Sequence, residues 1–358
     1  MDALINALYA IPIAGVLFQL AGYLVAVVPT SAPIIMRQVP PLALGALCGV
    51  MCERSGIVNI GIEGIMLAAA FTAWVAGIAA AGVVGTDVIG PFGISAALLF
   101  ALVASLAVAM LISSLHAWLS ISVRADQIIS GTIINILAIG ITGYLNTLIA
   151  RGSPTSAGSF TQLQIPADVT ALPVIGWFLA AVLNQGPITL SVIVLTVGLQ
   201  IWLFRTRWGL RTRAVGEHPK AAETVGIDVI ALRYRNVILA GLFAGLAGAY
   251  LSMESSNAFT QNMTAGRGFI ALAAVIVGRW TPIGALLAAV LFSLFLTLGQ
   301  TVQFVPPTGI LKDILGSLPG QFYDALPYIV TILVLAGVVG RSIPPAADGQ
   351  PYEREATA

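Results

Sequence analysis

The sequence predicts an all-α membrane protein with about ten membrane segments, and three observations support this fold class. Apolar residues make up 58% of the 358-residue chain and charged residues only 9%, whereas a soluble domain carries about 25% charged residues. The charges are unevenly placed, so that eight long windows contain none. Finally, 37 glycines in so apolar a chain are typical of closely packed membrane helices.

The same arithmetic excludes several other classes of protein. Sixteen basic residues are balanced by 15 acidic ones, a net charge of +1. The chain is therefore neither a disordered acidic polymer nor a protein that binds nucleic acid through a basic face. Two cysteines cannot form a disulfide scaffold, and Cys48 and Cys52 lie four residues apart with no histidine or carboxylate cluster nearby. We interpret both as small side chains of the core.

The membrane segments follow from the windows without charge. A helix needs about 20 apolar residues to cross ~30 Å of hydrocarbon. The first window, 3–36, is too long for one span, and we place a break at Pro29–Pro33. The predicted spans are 3–28, 33–52, 64–84, 95–119, 126–149, 187–204, 235–253, 281–300 and 325–340. One further apolar piece, 268–278 between Arg267 and Arg279, is too short to cross unaided, and we expect a short or broken helix.

The orientation follows from the basic residues, because cytoplasmic loops are enriched in Lys and Arg. Seven of the 16 basic residues lie in the single connection 205–235, which we place in the cytoplasm. Counting spans from there also puts inside Arg54, Arg124, Arg279, Arg341 and Arg354. Outside fall Arg151, Arg267 and Lys312, with Arg37 undecided near the start of the second span. Both termini are then cytoplasmic, and the first helix, 3–28, is retained because it has no basic flank typical of a signal peptide.

The domain organisation is correspondingly simple. We predict one transmembrane domain over 1–340 and a Pro-rich cytoplasmic tail, 341–358, that is disordered. The loop 205–235 lies between two spans of this domain. Within it, Pro219 suits the start of a short helix and Gly226 suits its end. This helix either docks into another protein, or the surrounding arginines only fix the topology.

Several stretches of the sequence resemble one family of transport proteins. The segment 213–227, RAVGEHPKAAETVGI, resembles the coupling loop of ABC importer permeases that serve branched-chain amino acids, simple sugars and nucleosides. The segment 53–64, ERSGIVNIGIEG, resembles the signature of the nucleoside-type branch. Three further stretches, 125–135, 262–273 and 326–331, agree with it. The resemblance runs from about residue 33 to 340 and does not cover the first helix, whose role stays open.

The resemblance implies a membrane subunit of an ATP-driven, binding-protein-dependent importer in the inner (plasma) membrane. Its implied partners are a cytoplasmic ATPase that carries ATP–Mg, an extracytoplasmic substrate-binding protein and a second permease, which is either a different chain or a second copy of this one. The residues implied in ATPase coupling are Arg213, Gly216, Glu217, Pro219, Ala221, Ala222, Glu223 and Gly226. The sequence agrees, since its only lysines, Lys220 and Lys312, follow Pro219 and Leu311 and so cannot belong to a phosphate-binding loop. No cofactor is expected in this chain.

Two ionisable residues are predicted to mark the solute pathway. Glu63 and Arg267 each precede a glycine and a small apolar run that opens a membrane segment, and charges at such positions are costly. Five spans separate them, so the two openings point in opposite directions, as in an inverted repeat. The candidate pathway residues are Asn59, Glu63, Asn135, Asn262, Thr264, Arg267 and Phe269. The alternative is that Glu63 and Arg267 only cap helix ends.

Three functions were weighed. The favoured one is import of nucleosides, related purines or simple sugars. The alternative is an ion-coupled secondary transporter of a small polar solute, although the spans hold few carboxylates that would bind a coupling ion. An enzyme is disfavoured, because His116 and His218 are the only histidines and no catalytic constellation accompanies them. We interpret both histidines as solvated or capping residues, and we predict no catalytic or metal site.

Overall fold

The computed structural model describes residues 12–150, 158–170, 172, 175–336 and 342–353. Its long helices, in chain order, are α1 (Pro12–Glu53), α2 (Ile62–Val84), α3 (Ala96–Ala117), α4 (Gln127–Ala150), α7 (Pro187–Arg205), α10 (Val229–Ala249), α12 (Pro282–Phe304) and α14 (Gly320–Leu335). The shorter ones are α5 (Ala167–Thr170), α6 (Gly176–Leu183), α8 (Arg207–Glu217), α9 (Pro219–Thr224), α11 (Arg267–Val277) and α13 (Ile310–Leu315). Each of α3 and α10 continues into a π-helical turn, Trp118–Ser122 and Tyr250–Ser255.

The predicted all-α membrane fold is confirmed. Within the described ranges, seven helices are long and apolar enough to cross a membrane. The 11-residue helix α11, Arg267–Val277, is the short helix predicted at 268–278. Helix α14 has 16 residues and ends next to residues outside the described ranges.

The N-terminal spans differ from the prediction. The expected break at Pro29–Pro33 is absent, and one helix of 42 residues, α1, runs through four prolines to Glu53. A proline removes one backbone donor, but a helix in lipid keeps its remaining hydrogen bonds because no water is there to replace them. At 1.5 Å per residue α1 measures about 63 Å, roughly twice the hydrocarbon thickness. Residues 1–11 of the predicted span 3–28 lie outside the described residues.

Small residues let the central helices approach each other closely. A methyl group added to Gly248 of α10 would come within 2.2 Å of the backbone oxygen of Met66 in α2. One added to Gly45 of α1 would come within 2.8 Å of the Cβ atom of Ala271 in α11. In a membrane such packing stabilises helix association, since lipid tails already solvate apolar side chains. The core therefore lies where α1, α2, α10 and α11 meet.

The basic residues predicted to share one side do meet at one end of the bundle, here called the arginine-rich end. Arg54 donates from Nε to the backbone oxygen of Trp280 at 2.8 Å. Its guanidinium also lies 5.8 Å from the ring centre of Phe204, and that of Arg213 lies 4.9 Å from the same ring. Arg151, Arg341 and Arg354 lie outside the described residues.

The opposite end of the bundle, here called the far end, is built from the loops 86–95, 158–166 and 184–186. The backbone N–H of Phe160 donates to Met253, and that of Thr161 donates to Phe92, both at 2.9 Å. Arg37, whose side was undecided from the sequence, donates to Gln162 at 3.0 Å. Arg37 therefore lies at the far end.

Candidate functional site

Helices α2 and α11 meet N-terminus to N-terminus. The carboxylate of Glu63, in the first turn of α2, accepts hydrogen bonds from the backbone N–H groups of Gly266 at 2.7 Å and Gly268 at 2.5 Å. A methyl group on Gly268 would stand 2.7 Å from the backbone nitrogen and Cα of Glu63. Glu63 therefore caps α11 as well as belonging to α2. A carboxylate at a helix N-terminus is stabilised by the unpaired N–H groups and the helix dipole.

The depth of this junction follows from the lengths of two helices. Helix α11 has 11 residues, about 16 Å, and ends next to Trp280 at the arginine-rich end. Asn135 accepts a hydrogen bond from Gly64 N–H at 2.7 Å and lies eight residues, about 12 Å, after the start of α4 at Gln127. Both lengths place the junction about halfway across ~30 Å of hydrocarbon.

From this junction the two helices run in opposite directions. Helix α2 leads towards the far end, and α11 leads towards the arginine-rich end. Opposite directions agree with the inverted-repeat hypothesis, and the symmetry of the complete halves stays a prediction.

Three of the predicted pathway residues have their polar atoms occupied by neighbouring backbone. Asn59 is fully buried and accepts from Gly61 N–H at 3.0 Å. Asn135 also donates to the backbone oxygen of Ile60 at 3.0 Å. Asn59 and Asn135 therefore hold the irregular backbone between α1 and α2, whereas Glu63 holds the backbone at the start of α11. The hydrogen bonds of Glu63 are therefore those of a helix cap, which is the alternative to a place in the solute pathway.

The other predicted pathway residues lie on or beside the entrance to α11. Thr264 is fully buried, and within the described residues its hydroxyl has no hydrogen-bond partner. Asn262 is exposed and has a φ of 54°, and Phe269 is 43% exposed. Arg267 donates to the backbone oxygen of Met263 at 3.0 Å and to the side-chain oxygen of Gln38 at 3.3 Å.

Arg267 also lines a cleft of about 310 Å³ that we call the polar cleft. Its polar side chains come from four helices and are Gln38, Arg267, Gln300, Asp324 and Tyr328. Four of these were missed from the sequence. Gln38 follows Arg37 within the predicted span 33–52, and Gln300 is the last residue of the predicted span 281–300. Polar side chains at such positions are the signal that could have found them, and Asp324 directly precedes the last span.

Glu254 is a further buried carboxylate that the sequence analysis missed. It accepts hydrogen bonds from the backbone N–H groups of Ile188 at 2.7 Å and Thr189 at 3.2 Å. It thereby caps α7 at the far end, much as Glu63 caps α11. No local sequence pattern predicts this contact, since Glu254 is more than 60 residues away from Ile188 and Thr189.

The histidine and cysteine assignments have mixed outcomes. His116 was expected to be solvated or capping, which is wrong: it is fully buried and lies 3.0 Å from both Ser130 Oγ and the backbone oxygen of Val58. It joins α3, α4 and the loop before α2. His218 is exposed. Cys48 and Cys52 are free and buried, as predicted.

The short helix predicted in the loop 205–235 is present. Helix α9 begins at Pro219 and ends at Thr224, and Gly226 follows with a φ of +82°. The loop is pressed against the bundle, because a methyl group on Gly216 would lie 2.3 Å from the backbone oxygen of Arg54. Ala222 is buried, whereas Glu217 and Ala221 are exposed.

The C-terminal tail differs from the expectation of disorder. Residues 342–353, here called the C-terminal strap, are folded against the arginine-rich end. The N–H of Ala347 donates to Gly216 at 2.8 Å, and that of Ala346 donates to the carboxylate of Glu217 at 3.1 Å. Tyr352 is 7% exposed and donates to Glu223. Prolines in this segment suggest disorder by composition, but they also lower the conformational entropy that ordering costs.

A bundle of long apolar helices, with the short helix α11 meeting α2 inside it, defines a polytopic membrane protein. The family model described as "Branched-chain amino acid transport system / permease component" matches residues 31–335. The chain belongs to this permease family. It is therefore a membrane subunit of an ABC transporter, as predicted, and not an enzyme.

Individual relatives agree with this assignment. The guanosine ABC transporter permease protein NupQ of Bacillus subtilis is 38% identical over 92% of this chain and 98% of its own length. The nucleoside ABC transporter permease protein NupC of Lactococcus lactis is 38% identical over 87% and 93%. The putative glucose ABC transporter permease protein TsgC13 of Haloferax volcanii is 32% identical over 88% and 94%.

Each of these three organisms also has a second permease protein that matches the chain at lower identity. No solved structure matches the chain. The ion-coupled alternative finds no support among these relatives.

Proposed function

We propose that this chain is one of two permease subunits of an ATP-driven importer of nucleosides, guanosine among them. The polar cleft carries the proposal. Its lining combines two carboxamides, a guanidinium, a carboxylate and a phenol ring. These groups match a nucleoside, whose base edge pairs with Gln or Arg, whose ring stacks on an aromatic side chain and whose ribose hydroxyls donate to a carboxylate.

The place of the cleft supports this assignment. Gln300 and Asp324 lie on α12 and α14 towards the far end, while Arg267 lies at the mid-membrane junction. Exposing a charged side chain to lipid near the middle of the membrane costs roughly 3 kcal/mol of free energy. We therefore expect the cleft to face water or the second permease, and to lead solute from the far end towards the junction.

The rest of the importer follows from the same assignment. The arginine-rich end, with the C-terminal strap, lies on the cytoplasmic side of the plasma membrane. The far end receives an extracytoplasmic substrate-binding protein, and the N-terminal part of the unbroken α1 lies there instead of on the cytoplasmic side expected from a break at Pro29–Pro33. The loop 205–235 docks on a cytoplasmic ATPase that binds ATP–Mg. A second permease pairs with this chain, since each of three related systems has two matching permease proteins.

Uptake of labelled guanosine by vesicles that contain the complete importer tests the proposal. Transport should require ATP on the ATPase side and survive collapse of the ion gradients. Gln300→Ala and Arg267→Ala should each raise the KM for guanosine by roughly tenfold, because each removes a polar contact.

Gln303→Ala is the matched control for Gln300→Ala. Gln303 is an exposed glutamine on the same helix that does not line the cleft. Wild-type kinetics in Gln300→Ala would remove the cleft from the pathway. Uptake of glucose in preference to guanosine would replace the proposed solute class, and uptake without ATP would overturn the ABC mechanism.

A further inference from the structure

A groove at the arginine-rich end has two walls that come from distant parts of the chain. Its volume is about 1000 Å³. One wall is 217–221, the end of α8 and the start of α9. The other wall is formed by Ala346, Ala347 and 350–353 of the C-terminal strap. We call this space the coupling groove. Its first wall contains the coupling residues Glu217, Pro219 and Ala221.

The strap is held in place independently of any partner. Arg233 of α10 is 1% exposed and donates from Nη1 to the backbone oxygen of Gln350 at 3.1 Å and from Nε to that of Ser55 at 3.0 Å. The carboxylate of Glu353 pairs with Arg124 at 2.5 Å. Ordering the strap therefore costs a partner little, because these contacts already fix it.

We propose that the C-terminal strap forms half of the docking surface for the ATPase subunit. The inference rests on the proposed function, in which the loop 205–235 is the coupling loop. The two walls enclose one groove, so a partner that contacts Pro219 and Ala221 within it also meets Pro351 on the opposite wall. The strap is thus a contact surface rather than a tether.

The chemistry of the surface indicates which partner fits. The loop 205–235 carries five exposed basic side chains, of which Lys220 lines the groove, namely Arg205, Arg207, Arg211, Lys220 and Arg235. They favour a partner with an acidic rim. Inside the groove, prolines and alanines lie beside the charged side chains of Glu217, Lys220 and Glu353, so the fitting partner offers an apolar side chain together with polar groups that pair with these charges.

The strap also ties the docking surface to the solute pathway. Ser342 donates from its hydroxyl to the backbone oxygen of Ile276 at 2.7 Å, in the last turn of α11. The first turn of α11 is held by Glu63 at the mid-membrane junction. A displacement of the groove by the ATPase therefore reaches α11 through the strap as well as through the coupling loop.

Copurification of the importer's own ATPase with the full-length permease complex tests the inference. The variant Pro351→Glu places a negative charge on the strap wall, and we expect it to weaken ATPase association about fivefold or more. Pro344→Glu is the matched control, because Pro344 is an exposed proline of the same strap that does not line the groove. It should bind like the wild type.

A third variant separates the inference from the function on which it rests. Ala221→Glu changes the exposed coupling-helix wall and should also release the ATPase. Loss with Ala221→Glu but full binding with Pro351→Glu would overturn the strap inference and leave the proposed function standing. Full binding with Ala221→Glu would overturn the coupling assignment itself. Equal loss with Pro344→Glu and Pro351→Glu would show that the groove is not what the ATPase contacts.

Discussion

At the scale of single residues, Glu63 and Gly268 determine how two helices can start at the same place. The carboxylate supplies the hydrogen-bond acceptors that the first turn of α11 lacks. The glycine lets the two backbones approach, since any Cβ atom there would press on Glu63. The charge of Glu63 and the small size of Gly268 are thus both needed at this junction.

The variant Gly268→Ala tests this close approach. Its methyl group would meet backbone atoms of Glu63 at 2.7 Å, so one of the two helices has to move. We expect a loss of about 1–3 kcal/mol of stability, as for other overpacked sites, and reduced uptake. Thermal unfolding of the purified permease in detergent measures the first effect.

Gly198→Ala serves as its control. Gly198 lies within α7, and a methyl group there would have no atom within 4 Å. The control should match or exceed the wild-type melting temperature, because alanine is the better helix former. An unchanged melting temperature in Gly268→Ala would contradict the packing described for the junction.

At the scale of elements, the C-terminal strap and the loop 205–235 stabilise each other. Their contacts include the Ala347–Gly216 hydrogen bond and the packing of Tyr352 with Val215, Ala222 and Leu232. Neither element is long enough to be stable alone, so each supplies the partner that the other needs. The short helix α9 is one example, since six residues do not form a stable helix in isolation.

Docking of the strap should depend on pH through Asp348. Burial of this carboxyl group raises its pKa to about 7, while the nearby Arg233 partly opposes the shift. The carboxyl group of Asp348 has an ordinary pKa of about 4 in the released strap and a pKa of about 7 in the docked strap. At pH values between these two, the docked strap therefore binds more protons than the released strap. Its docking is therefore strongest at the acidic end of this window and weakens as the pH rises towards 7 and slightly beyond.

Hydrogen exchange of the strap amides, compared at pH 6 and pH 8, measures this effect. The variant Asp348→Asn should reduce the difference in protection that remains after correction for the intrinsic exchange rate. Protection that rises with pH in the wild type would show that the carboxyl group is stabilised in its charged form instead.

At the scale of the whole molecule, the chain is one part of a larger transporter. Its polar cleft is open on the surface of the bundle. Because polar groups are not exposed to lipid, we expect the second permease to pack over this surface in the membrane. The α1 helix, longer than the bilayer is thick, packs along α11 with its C-terminal part and along α12 with its middle part, where the hydroxyl oxygens of Ser31 and Thr301 lie 3.3 Å apart. Its N-terminal part reaches the far end, where Tyr23 donates to Val305 at 2.7 Å.

We expect active importers to contain this chain and a different permease in equal amounts. Expression of this chain with the ATPase alone should give no guanosine uptake, and coexpression of the second permease should restore it. Mass measurement of the purified complex checks the composition. A functional complex with two copies of this chain would show a homodimer.

Much of this arrangement could be predicted from local sequence. The apolar windows predicted most spans and the short helix α11, because the length and polarity of a segment decide whether it crosses lipid. Pro219 and Gly226 predicted α9 through the backbone conformations that these two residues favour. Glu63 and Arg267 were recognised as special, because isolated charges stand out in apolar sequence.

The remaining features depend on contacts between distant residues. Pro29 and Pro33 suggest a break, yet α1 continues through both. Arg233 was counted only as a topology signal, although it is buried and holds the strap. Each of these outcomes is set by neighbours far away in the chain, which a local pattern does not contain.

The sequence by itself determined that this chain lies in a lipid bilayer, which family it resembles and that its basic residues gather at one end. The membrane location and the grouping of charges follow from composition and from the order of charged and apolar segments, whereas the family follows from the resemblance of short motifs such as 53–64 and 213–227. Only the tertiary structure decided that Glu63 caps α11, that four helices combine their polar side chains in one cleft and that the strap closes a groove beside α9. Such features need atoms from distant segments within about 3 Å of each other, and only the folded chain brings them together.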